Sequence, residues 1–177
     1  HNISDHTQSN WNGIIGDMYL ESRPLVHIDQ VSVDTIDTEN PAAKVVFDLN
    51  NSSDKAVQVR VNYQAKTNYG EGHQAPSKTF TARIPAGKNI DVEKIYAMGK
   101  NAVLWDEFTP AVYTLSCQLQ TIPTGEMNED VYETIFGLRR IYADGNQLKI
   151  NGRNLFLRGT LDCCIFPNTG YPPMDKE

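Results

Sequence analysis

No run of about 18 apolar residues occurs in this sequence, so no segment reads as a membrane-spanning helix. No stretch of about 15–30 residues joins a basic start to an apolar centre, so no secretory leader is read. The sequence opens on His1, and for a piece of a longer protein that silence says nothing about the parent. Positive charge is scarce: 16 Lys and Arg stand against 22 Asp and Glu, a net charge of −6. Gripping phosphates takes a clustered positive field. Here Arg60, Arg83, Lys88, Lys94 and Lys100 are scattered, and the neighbours Arg139 and Arg140 would point to opposite faces of a strand. Nucleic acid is therefore excluded as a partner, and the surface reads as mildly acidic and solvated.

Cysteine is also sparse, with Cys117, Cys163 and Cys164. Cys117 lies in an apolar strand-like run, TLSCQLQ, and reads as a small core residue. The adjacent pair Cys163–Cys164 lacks the C-x-x-C spacing of zinc and redox motifs, and an odd count argues against a disulfide framework. His1, His6, His27 and His73 show no metal-ligand spacing. Neither a metal nor another cofactor is expected.

What is present is strand pattern. Seven segments read as strands: Val26–Val33, Ala43–Leu49, Ala56–Ala65, Ser77–Ile84, Asn89–Tyr96, Val112–Leu119 and Val131–Arg140. The third alternates cleanly, with Val57, Val59, Val61 and Tyr63 on one face. The turns carry suitable residues, Asn50-Asn51-Ser52-Ser53-Asp54 after the second strand and Pro85-Ala86-Gly87-Lys88 after the fourth. No ten-residue segment shows a 3.6-residue period. Seven short strands in about 115 residues predict an all-β chain, an immunoglobulin-like antiparallel β-sandwich with short β flanks. The antibody Cys…Trp…Cys arrangement is missing. Such a pattern fits adhesive, structural and enzyme-accessory modules alike and does not by itself give function.

Four motifs stand in order along the chain: WNGIIG (Trp11–Gly16), LWDEFTPAVYTL (Leu104–Leu115), FGLRRI (Phe136–Ile141) and LKINGRNLFLRG (Leu148–Gly159). Each is weak alone; in this order and spacing, over nearly the whole chain, they resemble glycoside hydrolase family 2, the family of β-galactosidases, β-glucuronidases and β-mannosidases. The resemblance implies three parts. Residues 1–22 would end a sugar-binding jelly roll, residues 23–141 would form the sandwich, and residues 142–177 would open a (β/α)8 barrel. Asp144-Gly145 and Asn151-Gly152 are tight-turn dipeptides, so a hairpin is expected there from the sequence alone.

The resemblance also bears on chemistry. Retaining glycosidases use two carboxyl groups about 5–5.5 Å apart, one a proton donor and one a nucleophile. In this family both are implied to be glutamates late in the barrel, beyond the present chain, so no catalytic residue is expected here. Asn128-Glu129 copies the family's Asn-Glu dipeptide but lies in a polar loop between sandwich strands, and Asp106-Glu107 reads as a loop or cap feature. Three residues are the candidate substrate contacts. Asp162 and Cys163 follow the first barrel strand, whose C-terminal end would face the active site. Where family members carry a polar, His-containing segment, this chain has Leu161-Asp162-Cys163-Cys164, a departure that leaves galactose or glucuronate specificity open. Asp162 reads either as a sugar-hydroxyl ligand or as a turn residue, and the cysteines either as pocket floor or as buried packing. Asp5 matches an acidic contact from the jelly roll. Trp11 reads as an interface residue or a sugar-stacking ring.

The implied function is a non-catalytic brace in a bacterial exo-acting β-glycosidase. Its partners would be the jelly roll and barrel of the same chain and, in the full-length parent, a carbohydrate substrate. Homo-oligomerisation of the parent is left open, and a periplasmic or extracellular parent is favoured over a cytoplasmic one. The rival is a free-standing carbohydrate-binding or adhesive sandwich, which needs a row of exposed aromatics on one sheet. Tyr63, Tyr96, Tyr113 and Tyr132 lie within strands and read as inward or mixed.

Overall fold

The computed structural model describes residue 14, residues 17–122, residues 129–161 and residues 166, 168 and 170. The described residues contain strands and turns and no helix. In chain order the strands are β1 (Val26–Asp37), β2 (Ala42–Asn51), β3 (Val57–Thr67), β4 (His73–Gln74), β5 (Lys78–Ile84), β6 (Lys88–Ala97), β7 (Tyr113–Ile122), β8 (Glu129–Phe136), β9 (Ile141–Asp144), β10 (Gln147–Ile150) and β11 (Arg153–Asn154). All seven strands read from the sequence are found, every pairing antiparallel.

They form two facing sheets. One is β1-β2-β6; the other is β4-β3-β7-β8, with β5 pairing β3. In the immunoglobulin constant pattern four strands face three across the core. Here β5 bonds to β3 along Val57–Tyr63 instead of extending the first sheet. A third, small sheet, β11-β10-β9, follows the sandwich. Arg23–Leu155 form one compact unit that includes this small sheet.

Alternation builds the core. In β2, Ala43, Val45, Phe47 and Leu49 are buried while Lys44, Val46 and Asp48 between them are partly exposed. In β3, Val59, Val61, Tyr63 and Ala65 are buried, and in β7, Tyr113, Leu115, Cys117 and Leu119. Phe47, Tyr63, Phe80 and Tyr96 form the aromatic centre, with ring centroids 5.0–5.1 Å apart for Phe47–Phe80, Phe47–Tyr63 and Tyr63–Tyr96. Each such pair adds about 0.5–1.5 kcal/mol beyond area burial, and deleting one large core ring costs about 3–5 kcal/mol. The buried polar atoms are placed as carefully. Tyr96 Oη accepts from the Ala65 amide at 3.1 Å and donates to the Pro76 carbonyl at 2.9 Å.

The structure departs from the sequence reading in a few places. The last sandwich strand ends at Phe136, not Arg140, although Leu138 keeps the alternation and is fully buried. The ladder stops where its partner β7 begins, at the Tyr113–Phe136 pair, and the next residue, Gly137, lies against Trp105, where a Cβ would come within 3.1 Å of the ring. The two-residue β4 carries too little pattern to be read in advance. The turn expected at Asp144-Gly145 is centred one residue later, on Gly145-Asn146, since Asp144 pairs Gln147. Asn151-Gly152 is the turn expected, with φ of +49° and +87°, both positive as a type I′ turn requires. Of the N-terminal β flank expected from the sequence, residues 17–22 form no strand and are exposed.

Candidate functional site

Three of the four sequence motifs meet at one end of the sandwich, and the meeting point is Asn151. Its amide donates to the Arg140 carbonyl, and its Oδ1 accepts from the Arg140 amide at 2.9 Å. Its Nδ2 donates to the Trp105 carbonyl at 2.9 Å. The side chain thus joins the β10–β11 turn, the connector after β8 and the LWDEF loop. Trp105 is held from other sides as well: its amide donates to the Leu138 carbonyl at 2.9 Å, and the Arg139 guanidinium lies 4.4 Å from its ring centroid.

The LWDEF loop closes on itself first. Asp106 Oδ1 accepts from the amides of Phe108 at 2.9 Å and Thr109 at 2.7 Å, a side-chain turn that Pro110 then ends. Arg153, just past the Asn151-Gly152 turn, reaches across to Glu107 and to Asp106, the latter at 3.5 Å. The Phe108 amide holds the Asp106 carboxyl below its usual range, and Thr109 and Arg153 add to this. The hydrogen bond from Arg153 does the same for Glu107, and the Arg153 guanidinium is raised in turn. These groups are solvent-exposed, so each pair contributes little to stability; their value is directional. Asp106 and Glu107 are therefore occupied as turn and ion-pair residues, in keeping with the loop or cap role read from the sequence.

Glu129 is not in a loop. It opens β8 opposite Gln120, whose Nε2 donates to Glu129 Oε1 at 2.7 Å. Asn128 lies outside the described residues. The neighbouring Asp130 caps the β1 bulge, accepting from the Ile28 amide at 2.8 Å. The aromatics on either side of Pro110 part company: Tyr113 is buried, whereas Phe108 is 78% exposed beneath the Arg153 guanidinium.

The three candidate substrate contacts, Asp5, Asp162 and Cys163, lie outside the described residues, as do Cys164 and Trp11. Cys117 faces the core between the sheets, and burial pushes its thiol up to about 12. It is a packing residue, not a nucleophile. The glycosylation-type triplet Asn51-Ser52-Ser53 is closed. Asn51 is fully buried, its Nδ2 within hydrogen-bond distance of the Lys55, Ile84 and Pro85 carbonyls and its Oδ1 accepting from Ser53. Sequence reasoning missed this role because a buried Asn and a solvated turn Asn look alike in a polar run.

The outer face of the second sheet carries a shallow depression of about 300 Å³ lined by Asn62, Gln64, Ser77, Ser116, Gln118 and Val131. Its only bordering ring belongs to Tyr63, 4% exposed. Tyr96 and Tyr113 are likewise buried, and Tyr132 packs on the core. These four tyrosines thus serve the interior rather than an exposed sugar-stacking row. Among the described residues no group of three His, Cys, Asp or Glu side chains converges as a metal site would require.

The geometry defines a β-sandwich module whose motif residues lock one end of it to a small following sheet. The family model of the glycosyl hydrolases family 2 matches residues 26–139, more than half of the chain, and the chain belongs to that family. It is 25% identical over 173 residues to a β-galactosidase of Staphylococcus xylosus, covering 96% of this chain and 15% of that protein. It is also 25% identical over 170 residues to a β-galactosidase large subunit of Latilactobacillus sakei, covering 95% and 25%. The chain thus spans a quarter or less of these relatives. Among solved structures, a Bacteroides uniformis β-glucuronidase matches with a TM-score of 0.66 at 16% identity, over 77% of this chain and 17% of that one, a likeness of fold. A Parabacteroides merdae β-glucuronidase matches with a TM-score of 0.56 at 26% identity, covering 77% and 16%.

Proposed function

We propose that this chain is a non-catalytic bracing module of a β-glycosidase that hydrolyses O-glycosidic bonds with retention of configuration. The observation that carries this reading is the occupation of the motif carboxylates. Asp106 and Glu107 are spent on a turn and on Arg153, and Glu129 on Gln120, so none is presented as a free acid–nucleophile pair. The relatives' names, β-galactosidase and β-glucuronidase, support a β-linked sugar as the parent's substrate. In this reading residues 1–22 end a jelly roll, residues 23–141 are the brace, and residues 142–177 begin a barrel. Asp5, Asp162 and Cys163 are its candidate contacts to the sugar. The organisms of the relatives support a bacterial parent.

The test is made in a longer form of the protein that carries the domains on both sides. Replacing residues 26–139 by a flexible linker abolishes turnover of nitrophenyl β-glycosides if the sandwich is a brace. Turnover that survives the replacement contradicts that role.

A further inference from the structure

The small sheet β9–β11 has almost no core of its own. Ile150 is buried, but Ile141 and Leu148 are 49% and 38% exposed, and β11 is two residues long. A ribbon this small is not stable in isolation. What ties it to the sandwich is a set of directed bonds: Asn151 to Trp105 and Arg140, and Arg153 to Glu107 and Asp106. Trp105 is anchored in turn by Leu138 and Arg139 and by the space that Gly137 leaves. The last rung, from the Leu155 amide to the Leu148 carbonyl at 2.8 Å, carries the fixation to the edge of the compact unit.

Apolar packing is indifferent to small rotations, whereas hydrogen bonds to carbonyls weaken steeply when misaligned. The bond that Asn151 Nδ2 donates to the Trp105 carbonyl and the one that its Oδ1 accepts from the Arg140 amide, with a forked guanidinium two residues on, specify the ribbon's rotation as well as its position. We infer that Asn151, Trp105 and Arg153 form a positioning clasp. It fixes the rotation of the β9–β11 ribbon against the sandwich as far as Leu155, the last residue of this compact unit. The consequence for turnover rests on the bracing reading; the fixation itself does not.

The experiment uses the 177-residue chain with Cys163→Ser and Cys164→Ser, spin-labelled at Thr81→Cys on β5 and Gln147→Cys on β10, both exposed positions outside the clasp. Asn151→Gly keeps the left-handed turn but removes both side-chain bonds; Arg153→Ala removes the ion pairs. The parent gives one narrow label-to-label distance distribution. Each variant widens it about twofold or more, as local opening of a released ribbon would, while the sandwich melts as before. Unchanged widths in both variants overturn the inference. In a longer form, Asn151→Gly lowers kcat about 10- to 100-fold with KM little altered, the scale of a small misplacement. Widened distances with unaltered kcat overturn the positioning role. If the unsubstituted longer form cleaves no glycoside, the bracing reading fails, and the distance measurement still decides the clasp.

Discussion

Gly137 faces the Trp105 ring so closely that a Cβ on residue 137 would lie 3.1 Å from both Trp105 Cβ and Cγ. Trp105 cannot retreat freely, since its amide and carbonyl are bonded to Leu138 and Asn151 and its ring is covered by Arg139. Gly137→Ala is therefore expected to destabilise the unit by about 1–3 kcal/mol through overpacking. Urea denaturation followed by far-UV circular dichroism checks this; a variant as stable as the parent would mean that the ring is free to move.

Asn51 is the second such point. It is fully buried, its Nδ2 facing the Ile84 and Pro85 carbonyls of the β5–β6 turn and the Lys55 carbonyl between β2 and β3, so its loss leaves buried and half-buried acceptors without this donor. Asn51→Ala should cost about 1–3 kcal/mol, more than the exposed ion pairs of Arg153 contribute. The same burial predicts that Asn51 carries no glycan after secretion from a glycosylating host, which intact mass measurement would read directly.

His73 links pH to stability. Its Nδ1 lies 3.0 Å from Tyr113 Oη, which accepts from the Val103 amide at 2.9 Å. Burial lowers the His73 pKa below its ordinary value of 6.5. Between that lowered value and about 6.5 the unfolded chain binds more protons than the folded one, so stability rises with pH there. The contribution is fully present above about pH 6.5 and is lost as pH falls through the window. Denaturation midpoints measured from pH 7.5 down to 5 should show this slope, and His73→Gln should flatten it.

Cys117 gives a chemical prediction. With its thiol pushed up to about 12 by burial, almost no thiolate exists at neutral pH. In a chain with Cys163→Ser and Cys164→Ser, a disulfide reagent at pH 8 should find no reactive thiol until denaturant is added. Stoichiometric labelling of the folded chain would contradict the placement of Cys117 between the sheets.

The strands were legible because period-two alternation of β-branched and aromatic residues, as in Val57, Val59, Val61 and Tyr63, is a local signal that the sandwich reinforces. The end of β8 was not, since Leu138 continues the alternation after the ladder has stopped. The clasp left no trace of periodicity. Asn151 and Trp105 are 46 positions apart, and their bond runs from a side chain to a backbone carbonyl. What the sequence offered instead was the order of the motifs, read as a resemblance, without the contacts that join them. Of the candidate site, Asp106, Glu107 and Glu129 could be assigned to structural bonds, while Asp5, Asp162 and Cys163 fall outside the described residues.

The central claim is that this chain carries no hydrolytic machinery of its own. It is tested most directly by assaying the repurified 177-residue chain on a panel of nitrophenyl β-glycosides beside a longer form that continues through the following domain. The account predicts release of nitrophenol by the longer form and none above the buffer blank by the chain alone. Turnover that follows the 177-residue chain through repurification, and that Glu129→Gln abolishes, would contradict it.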